Sequence, residues 1–355
     1  MTSTPRVSIG LPVYNGEKYL AGALDALLAQ TFADFELIIS DNCSTDRTEQ
    51  ICREYTDRDS RVAYERQAEN RGACWNHNRV FELSRGEYFK WASYDDLHAP
   101  SFLERCVSVL DGHPQVTWCH PMSTHIDANG HRLEGPGLGD ISYSAETIAR
   151  QAVAAVRIAA SREADRPAER FRAVLLGSHG NQDVFGLIRV SAMRKTGLMV
   201  PYYGMDKVFV AELSLGGRFQ EIPELLFFNR VHVDGSGALR NASSQREFIA
   251  PKKKKAWGPA RFKLQWSHVR SIMRAPMLAW ERCQCLWILG EHMAQIKKWK
   301  RMLLMQFSGV GTGGGYLRVF DPKYSDGNVV VLVDAPPVTA ESLIRGCVPE
   351  TASST

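Results

Sequence analysis

Residues 88–96 read Tyr-Phe-Lys-Trp-Ala-Ser-Tyr-Asp-Asp, so that two adjacent carboxylates, Asp95 and Asp96, directly follow an apolar run. We expect the run to form a β-strand. Ligands of open α/β sheets bind outside the carboxyl ends of strands, and a divalent cation takes oxygen ligands while keeping positions open for substrate phosphate. The alternative is an Asx turn that caps a helix beginning near Pro100. The pair alone leaves both interpretations open.

The chain from residue 7 to residue 120 alternates short apolar runs with helical patterns, which predicts βαβ units and a largely parallel sheet. The expected strands are Val7–Leu11, Glu36–Ser40, Val62–Glu65, Glu87–Ala92 and Val116–Cys119. Three helices are expected. The first contains Leu20–Leu28, the second runs from a cap at Thr45 or Asp46 to about Tyr55, and the third spans Arg71–Leu83.

The following segment has a less regular pattern. We expect a hairpin over 123–133 that turns at Asn129-Gly130, and an alanine-rich helical stretch over 143–176 that is broken near Pro167. Beyond it the predicted elements are a strand at Val184–Val190, an amphipathic helix ending at Gly216-Gly217, and a strand at Leu225–Val231. The catalytic unit is expected to close near residue 240.

Polar motifs follow the first two expected strands. Residues 12–15 (Pro-Val-Tyr-Asn) come after the first, and residues 41–46 (Asp-Asn-Cys-Ser-Thr-Asp) come after the second. Such turns let backbone amides and a Tyr ring face a ligand at the sheet edge. Turn chemistry and helix capping are the alternative for both motifs. The chain contains neither G-x-G-x-x-G nor a Walker A motif, so that the usual dinucleotide and P-loop interpretations lack support.

In order and spacing, these pieces resemble family 2 glycosyltransferases of the GT-A fold over roughly residues 6–235. The matching features are residues 7–15 with Gln30–Leu37, the Ser40–Asp46 block, Asn70-Arg71-Gly72, and Gly86-Glu87-Tyr88 leading to Asp95-Asp96. The resemblance implies an α/β fold with a GT-A-type, Rossmann-like mixed sheet flanked by helices. It also implies an enzyme that moves a sugar from a nucleotide-diphosphate donor to a hydroxyl acceptor with inversion, assisted by a divalent metal, Mn or Mg.

The resemblance assigns roles to individual donor-side residues. Pro12, Tyr14 and Asn15 would line the base and ribose pocket, and Asp41 and Asn42 would contact the base edge. Asn42 stands where many relatives have Asp, but an amide offers both a donor and an acceptor. The remaining donor-binding residues that the resemblance implies are Asn70, Gly72 and Asp95, with His77 and Asn78 as further candidates.

Metal binding and base catalysis are also assigned by the resemblance. Asp96 would ligate the metal directly, and His232 would contact the metal or phosphate, with a purely structural role as its alternative. Ser93 replaces the first Asp of the family's metal motif, which removes one carboxylate. Asp206 matches the general base that deprotonates the acceptor hydroxyl, and helix capping is its alternative. Arg230 would add charge against the diphosphate or form a surface ion pair.

The net charge of +4 is unevenly distributed. Residues 251–301 hold 13 Lys and Arg against two Glu, a net charge of +11, so that the remainder carries −7. Five of the eight tryptophans lie between residues 257 and 301. A helix with basic and aromatic faces would suit an anionic membrane surface. The alternatives are a helix packed on the catalytic domain, a dimer contact, and RNA or DNA binding, although no nucleic-acid fold signature is present.

We therefore predict three regions: a catalytic domain over 1–240, a basic tryptophan-rich helical region over 241–308, and a Gly-rich linker with a C-terminal tail over 309–355. The amino terminus does not read as a signal peptide, and the eight cysteines lack zinc-type spacing, which favours reduced thiols in a cytoplasmic protein. The expected setting is cell-surface polysaccharide or glycolipid assembly with a carbohydrate or lipid-linked acceptor, peripherally at the inner membrane face. A non-catalytic relative that binds a nucleotide sugar or glycan, and a nucleic-acid-associated protein, are the rivals. No oligomeric state is predicted.

Overall fold

The computed structural model describes residues 4–134, 162–177, 182–202, 204–232, 234–235, 242–251, 260–294, 330–331 and 336–346. The strands are β1 Val7–Val13, β2 Phe35–Asp41, β3 Val62–Arg66, β4 Tyr88–Trp91, β5 Leu97–His98, β6 Val116–Ile126, β7 Arg132–Glu134, β8 Leu187–Arg189, β9 Arg218–Arg230 and β10 Val330–Val331. The α-helices are α1 Leu20–Leu28, α2 Thr48–Arg58, α3 Ala73–Glu82, α4 Phe102–Gly112, α5 Pro167–Arg172, α6 Val190–Met193, α7 Met205–Gly216, α8 Ala242–Ile249, α9 Ala260–Arg274, α10 Ala279–Met293 and α11 Ala340–Ile344.

The described strands form one mixed sheet in the order β10-β7-β6-β8-β4-β1-β2-β3, with β9 beside β6 and β5 beside β9. The central strand β1 is parallel to both β2 and β4, with Val13 opposite Asp41 and Gly10 opposite Trp91. The carboxyl ends of these three strands therefore meet at one edge. The short strand β8 is antiparallel to both β4 and β6, which makes the sheet mixed. The predicted α/β class and mixed sheet are confirmed.

Apolar layers cover both faces of the sheet. Because successive side chains of a strand point to opposite faces, Val7, Ile9 and Leu11 of β1 join one layer with α1 and α4. Phe89 and Trp91 of β4 join the other layer with α3 and α7. The five strands expected between residues 7 and 120 are confirmed, although β1 runs to Val13 and β6 to Ile126. The edge at which the carboxyl ends of β1, β2 and β4 meet thus belongs to a sheet that is buried on both faces.

The hairpin expected over 123–133 is confirmed. His125 pairs with Leu133 and Ile126 with Arg132, and the turn between them closes through a hydrogen bond from the Gly130 amide to the Asp127 carbonyl. Of the alanine-rich stretch, only residues 162–177 are described. There residue 162 is helical, residues 163–166 are not, and Pro167 opens α5, so that the break expected near Pro167 is confirmed. Proline suits the first helical turn because no N–H is needed there.

Three further expectations were wrong in detail. The strand predicted at Val184–Val190 is a 3₁₀ turn, the three-residue β8 and the start of α6, since only Leu187–Arg189 fits between β4 and β6. The helix predicted as amphipathic, α7, is buried along its whole run Val208–Leu215 because it lies between the sheet and helices α5 and α9. Strand β9 begins at Arg218, well before the predicted Leu225, because long parallel pairing with β6 overrides its mixed polar pattern.

The basic tryptophan-rich region is mainly helical where it is described, as predicted. Helices α9 and α10 pack on α7 and α5, and Ile272, Cys285 and Ile288 enter the second apolar layer. Val338 and Leu343, from the predicted tail, are buried in the first layer beside α1. The expected linker at Gly309–Gly315 lies outside the described residues, and the domain boundaries stay predictions. In the part of the chain that the structure describes, no helix combines the length and apolar character needed to span a bilayer.

Candidate active site

The turn after β1 is joined to the turn after β2. The Asn15 side-chain oxygen accepts a hydrogen bond from the Thr45 amide at 2.9 Å, and the Asn15 amide donates to the Ser44 hydroxyl at 2.9 Å. Asn15 has φ = 51°, a left-handed conformation that Asn tolerates better than most residues. Pro12 is buried within β1, whereas the Tyr14 side chain is 40% exposed and available to a ligand.

Asp41 and Asn42 are buried at the end of β2, and their side chains already bond to neighbouring groups. One Asp41 carboxylate oxygen accepts from the Ser44 amide at 2.8 Å, and the other accepts from the Tyr64 hydroxyl at 2.9 Å. The Asn42 amide nitrogen donates to the Asn70 side-chain oxygen at 2.9 Å. Turn chemistry, the alternative for this motif, is therefore present, and contact with a base stays a prediction.

Asn70 and Gly72 belong to the same network. The Asn70 side-chain oxygen also accepts from the Gly72 amide at 2.9 Å, and Asn42 accepts from the Arg71 amide. Gly72 precedes α3 with φ = 87°, and a β-carbon there would lie 2.4 Å from the Ile249 carbonyl oxygen. Only glycine fits this position. The structure thus brings Asn42, Asn70 and Gly72 together.

The carboxylates after β4 have different partners. Ser93 donates to the Asp95 carboxylate, and the second Asp95 oxygen lies 2.9 Å from His232 Nε2. Asp96 Oδ1 accepts from Asn229 Nδ2 at 2.9 Å and from the Arg230 amide at 2.8 Å. The end of β9 therefore supplies a partner for each carboxylate.

Asp96 is buried and electrostatically unfavourable when ionised. Burial, and then the neighbouring charge of Asp95, raise the pKa of Asp96 well above its usual range. Its Oδ2 atom has no hydrogen-bond partner among the described residues, and neither does Nδ1 of the buried His232. Buried polar atoms in native proteins are rarely left unpaired. Oδ2 of Asp96 could therefore accept an additional positively charged group.

The predicted metal ligands fit a divalent cation in donor type, since carboxylate oxygens suit Mg²⁺ and Mn²⁺ and imidazole is a common metal ligand. The unpartnered Oδ2 of Asp96 is the observation that favours such an ion. The side chains do not already form a binding shell: nowhere in the described ranges are three His, Cys, Asp or Glu residues grouped so as to hold a metal. His232 and Asp95 contact each other instead.

Arg230 is partly buried and contacts neighbouring groups of the site. The surface ion pair considered for it is not among its contacts with the described residues. Its guanidinium donates to the carbonyls of Asp95 and Asp127 and lies 4.9 Å from the centre of the Tyr19 ring. That ring also lies 4.8 Å from the His232 ring.

Sequence reasoning missed Tyr19 and Asn229. Asn229 lies at the end of a strand, three positions before His232. The expectation that polar residues at the carboxyl ends of strands bind ligands would have identified it. Tyr19 precedes α1 and carried no such signal. The turn after β1 lies close to the loop that carries Asp95 and Asp96. A β-carbon added to Gly16 of that turn would be 3.0 Å from the Tyr94 ring of the loop.

Asp206 lies in the first turn of α7, after Gly204 with φ = 85°. Its side chain is partly buried. Phe209, one turn later, packs edge-to-face on Trp91 with ring centres 5.0 Å apart. Trp91 ends β4, four residues before Asp95. The helix that carries the predicted base is therefore anchored to the strand that leads to the carboxylates.

The two further candidates on α3, His77 and Asn78, both bond to backbone groups. Both polar atoms of the Asn78 side chain bond to the Met199 backbone at 3.0 Å, and His77 Nδ1 lies 2.8 Å from the Ala73 carbonyl oxygen. These contacts support structural roles. Asn76, which sequence reasoning passed over, donates to the Ser40 carbonyl at 2.8 Å, and its buried Oδ1 has no partner among the described residues.

Comparisons with known proteins agree with this architecture. An uncharacterized glycosyltransferase of Rickettsia typhi is 37% identical over 135 residues, which are 37% of this chain and 41% of the relative. One from Methanocaldococcus jannaschii is 29% identical over 132 residues, 37% of this chain and 46% of the relative. The chain thus spans less than half the length of these curated relatives.

Among solved structures, S. aureus TarS 1–349 in complex with UDP matches 84% of this chain and 73% of its own, with a TM-score of 0.55 and 16% identity. This likeness establishes a shared fold. The family model described as glycosyl transferase family 2 matches residues 8–195, which is more than half of the chain and includes the strand-end turns and both carboxylates. The chain belongs to glycosyl transferase family 2.

Proposed function

We propose that the protein transfers a sugar from a nucleotide-diphosphate donor to a hydroxyl acceptor, with inversion at the anomeric carbon and with the help of Mn²⁺ or Mg²⁺. The observation that carries the proposal is the group Asp95, Asp96 and His232 at the carboxyl edge of the sheet, next to the turns after β1 and β2. Family membership supports the reaction class.

Each residue has a role in this proposal. Asp96 and His232 would hold the metal, with Asp95 contributing to the donor site. The bound metal would supply positive charge to neutralise the departing diphosphate. Tyr14 and Asn15 would bind the nucleoside, and Asp206 would take the proton of the acceptor hydroxyl as that oxygen attacks the face opposite the leaving group.

The donor and the cellular setting belong to the same proposal. The TarS structures, which share the fold, contain UDP or UDP-GlcNAc, which favours a nucleotide-sugar donor here. The acceptor would be a carbohydrate or lipid-linked hydroxyl in cell-surface polysaccharide or glycolipid assembly. The protein would work in the cytoplasm, attached peripherally to the inner membrane face.

The test is metal-dependent hydrolysis of a panel of nucleotide sugars, measured as nucleotide release with Mn²⁺ and after its removal by chelation. Asp96→Ala is expected to abolish release, and Asp206→Asn to lower it by about 100-fold or more, since 100-fold is the lower end of the range for a lost general base. Asp57→Asn, on the exposed side of α2, is the matched control. Wild-type rates in both site variants would refute the assignments.

A non-catalytic nucleotide-sugar-binding relative is the second candidate, favoured by Ser93, whose hydroxyl binds Asp95 where a third carboxylate would stand. That alternative predicts tight binding of a nucleotide sugar by calorimetry with no turnover for any acceptor. Turnover that depends on Asp206 would eliminate it.

A further inference from the structure

Helix α9 buries polar as well as apolar side chains and leaves large apolar ones exposed, with Ile272 in the second apolar layer. Its inner face, against the protein, carries the buried polar residues Gln265, His268 and Ser271. Its outer face carries Phe262 and Trp266, which are 70% and 64% exposed. A helix that only packs on a domain normally turns its apolar stripe inward. The outer side chains of α9 thus suit contact with an apolar partner.

Helix α10 continues the same arrangement. Cys285, Ile288 and Leu289 pack inward, whereas Trp280 and Trp287 are 47% and 73% exposed. The two helices pack on each other, so that their outward residues lie on neighbouring elements. We call these outward residues the aromatic face; it consists of Phe262, Trp266, Met273, Trp280 and Trp287. Leu278, Leu286 and Met293 are also exposed on or beside α10.

The segment that contains the aromatic face is strongly basic in sequence, and eight of its 13 Lys and Arg residues lie outside the described residues. The surrounding segment, residues 251–301, carries +11, and its two acidic residues already have partners. Glu291 pairs with Arg172 at 2.8 Å, and Glu281 accepts from the Leu278 amide at 2.8 Å. Arg270 is exposed on α9 between the aromatic residues. Exposed aromatic rings on a segment of high net positive charge suit a partner that is both anionic and apolar.

An anionic lipid bilayer has both properties. Its headgroup region accepts Trp and Phe side chains as well as basic ones, and its negative surface potential attracts Lys and Arg. A second copy of this chain would bring two +11 segments together, which like-charge repulsion opposes. A nucleic acid would satisfy the charge and stack on the aromatic rings, but would leave Met273, Leu278 and Leu286 against a polar backbone.

We propose that the aromatic face docks on the surface of an anionic lipid bilayer. The inference deepens the peripheral attachment included in the proposed function. The test of this inference contains neither nucleotide sugar nor acceptor. Vesicle binding can therefore fail while glycosyl transfer is observed, and glycosyl transfer can fail while vesicle binding is observed.

The experiment is co-sedimentation of the full chain with vesicles of phosphatidylcholine alone or with about one third phosphatidylglycerol, the anionic lipid that supplies the expected attraction. We expect binding to the anionic vesicles, with tryptophan fluorescence quenched by brominated acyl chains. The double variant Trp266→Ser/Trp287→Ser should lower the vesicle affinity by at least about tenfold, since each ring contributes buried area. Ile344→Ser, which removes an exposed apolar side chain from α11, should bind as the wild type does.

Three outcomes would overturn the proposal. The first is no binding to anionic vesicles, as expected if another segment of the chain covers the face. The second is a wild-type dimer in sedimentation velocity that becomes monomeric in the double variant while vesicle binding is unchanged. The third is tighter binding to single-stranded DNA than to vesicles, lost in the same double variant.

Discussion

Asp95 and His232 are in contact, with carboxylate Oδ2 and imidazole Nε2 2.9 Å apart, although 137 positions separate them in the sequence. The pairing of β5 with β9, in which Leu97 lies opposite Phe228, brings the two segments together. The same ladder places Asn229 and the Arg230 amide on Asp96. The geometry of the proposed metal site is therefore set by the register of one short antiparallel strand pair.

Asn229 is expected to position Asp96. In Asn229→Ala the buried Oδ1 of Asp96 loses one of its two donors, which should lower the free energy of unfolding by about 1–3 kcal/mol. Mn²⁺ affinity should fall by about tenfold, as is usual when the outer partner of a metal ligand is removed. Urea denaturation and titration calorimetry measure the two effects. Asn129→Ala, in an exposed turn, is the control; if both variants bind Mn²⁺ alike, Asn229 has no positioning role.

Asp96 should make the effect of Mn²⁺ depend on pH. Because burial raises its pKa above the value in the unfolded chain, Asp96 favours the native state at low pH, and this contribution is lost as pH rises through the native pKa. A cation that pairs with the ionised carboxylate offsets that loss. The rise in Tm on adding Mn²⁺ should therefore grow with pH and vanish in Asp96→Asn. Thermal unfolding across a pH series tests this, and a pH-independent rise would contradict it.

Lys90 should give the protein a pH-dependent stability of its own. Its ammonium group is fully buried and bonds to His98 Nε2 and the Trp91 carbonyl, and burial lowers its pKa to about 7 from 10.5. Between these values the unfolded chain binds more protons, so that stability from this group rises with pH by up to about 1.4 kcal/mol per unit. Below pH 7 the full cost of the buried charge remains.

In Lys90→Met, an apolar side chain of similar length, this rise should disappear and stability at neutral pH should increase. Chemical denaturation at several pH values between 7 and 10 compares it with Lys207→Met, which removes an exposed lysine from α7. Equal pH slopes for wild type and Lys90→Met would show that Lys90 does not titrate in this range.

Glu212 and Arg274 should connect α7 to α9. Glu212 is buried, with one carboxylate oxygen 2.5 Å from Arg274 Nη1 and the other accepting from the Gly197 amide at 2.9 Å. Arg274→Ala leaves this charge without its ion-pair partner and is expected to cost about 2 kcal/mol, less than for a fully buried pair because Arg274 is partly exposed. Arg270→Ala, on the same helix, is the control for urea unfolding. Adding Glu212→Gln should recover part of the loss, and strict additivity would argue against coupling.

Several features could be predicted because they depend on local chemistry. The apolar runs at residues 7–13 and 88–91 have the composition of buried strands, and Asp, Asn and Ser at their ends are the residues that form turns. Gly72 belongs to a motif of the family resemblance, and the structure gives a physical reason for it, since a left-handed backbone at a helix start needs glycine. These local constraints predicted the fold class and placed Tyr14, Asp41 and Asp96 at one sheet edge.

Other features depend on long-range packing, which local patterns do not contain. The mixed polar run that forms β9 became a strand because β6 supplied a partner along its length, and that strand delivered Asn229 and His232 to the carboxylates. Helix α7 became buried over Val208–Leu215 because two other helices cover it.

The sequence alone determined which side chains follow the strands and that a basic, tryptophan-rich segment forms helices, since both are properties of consecutive residues. Only the tertiary structure decided that Asp95 contacts His232 and that Trp266 and Trp287 point outward, because strand register and the inward face of a packed helix are set by elements distant in the chain.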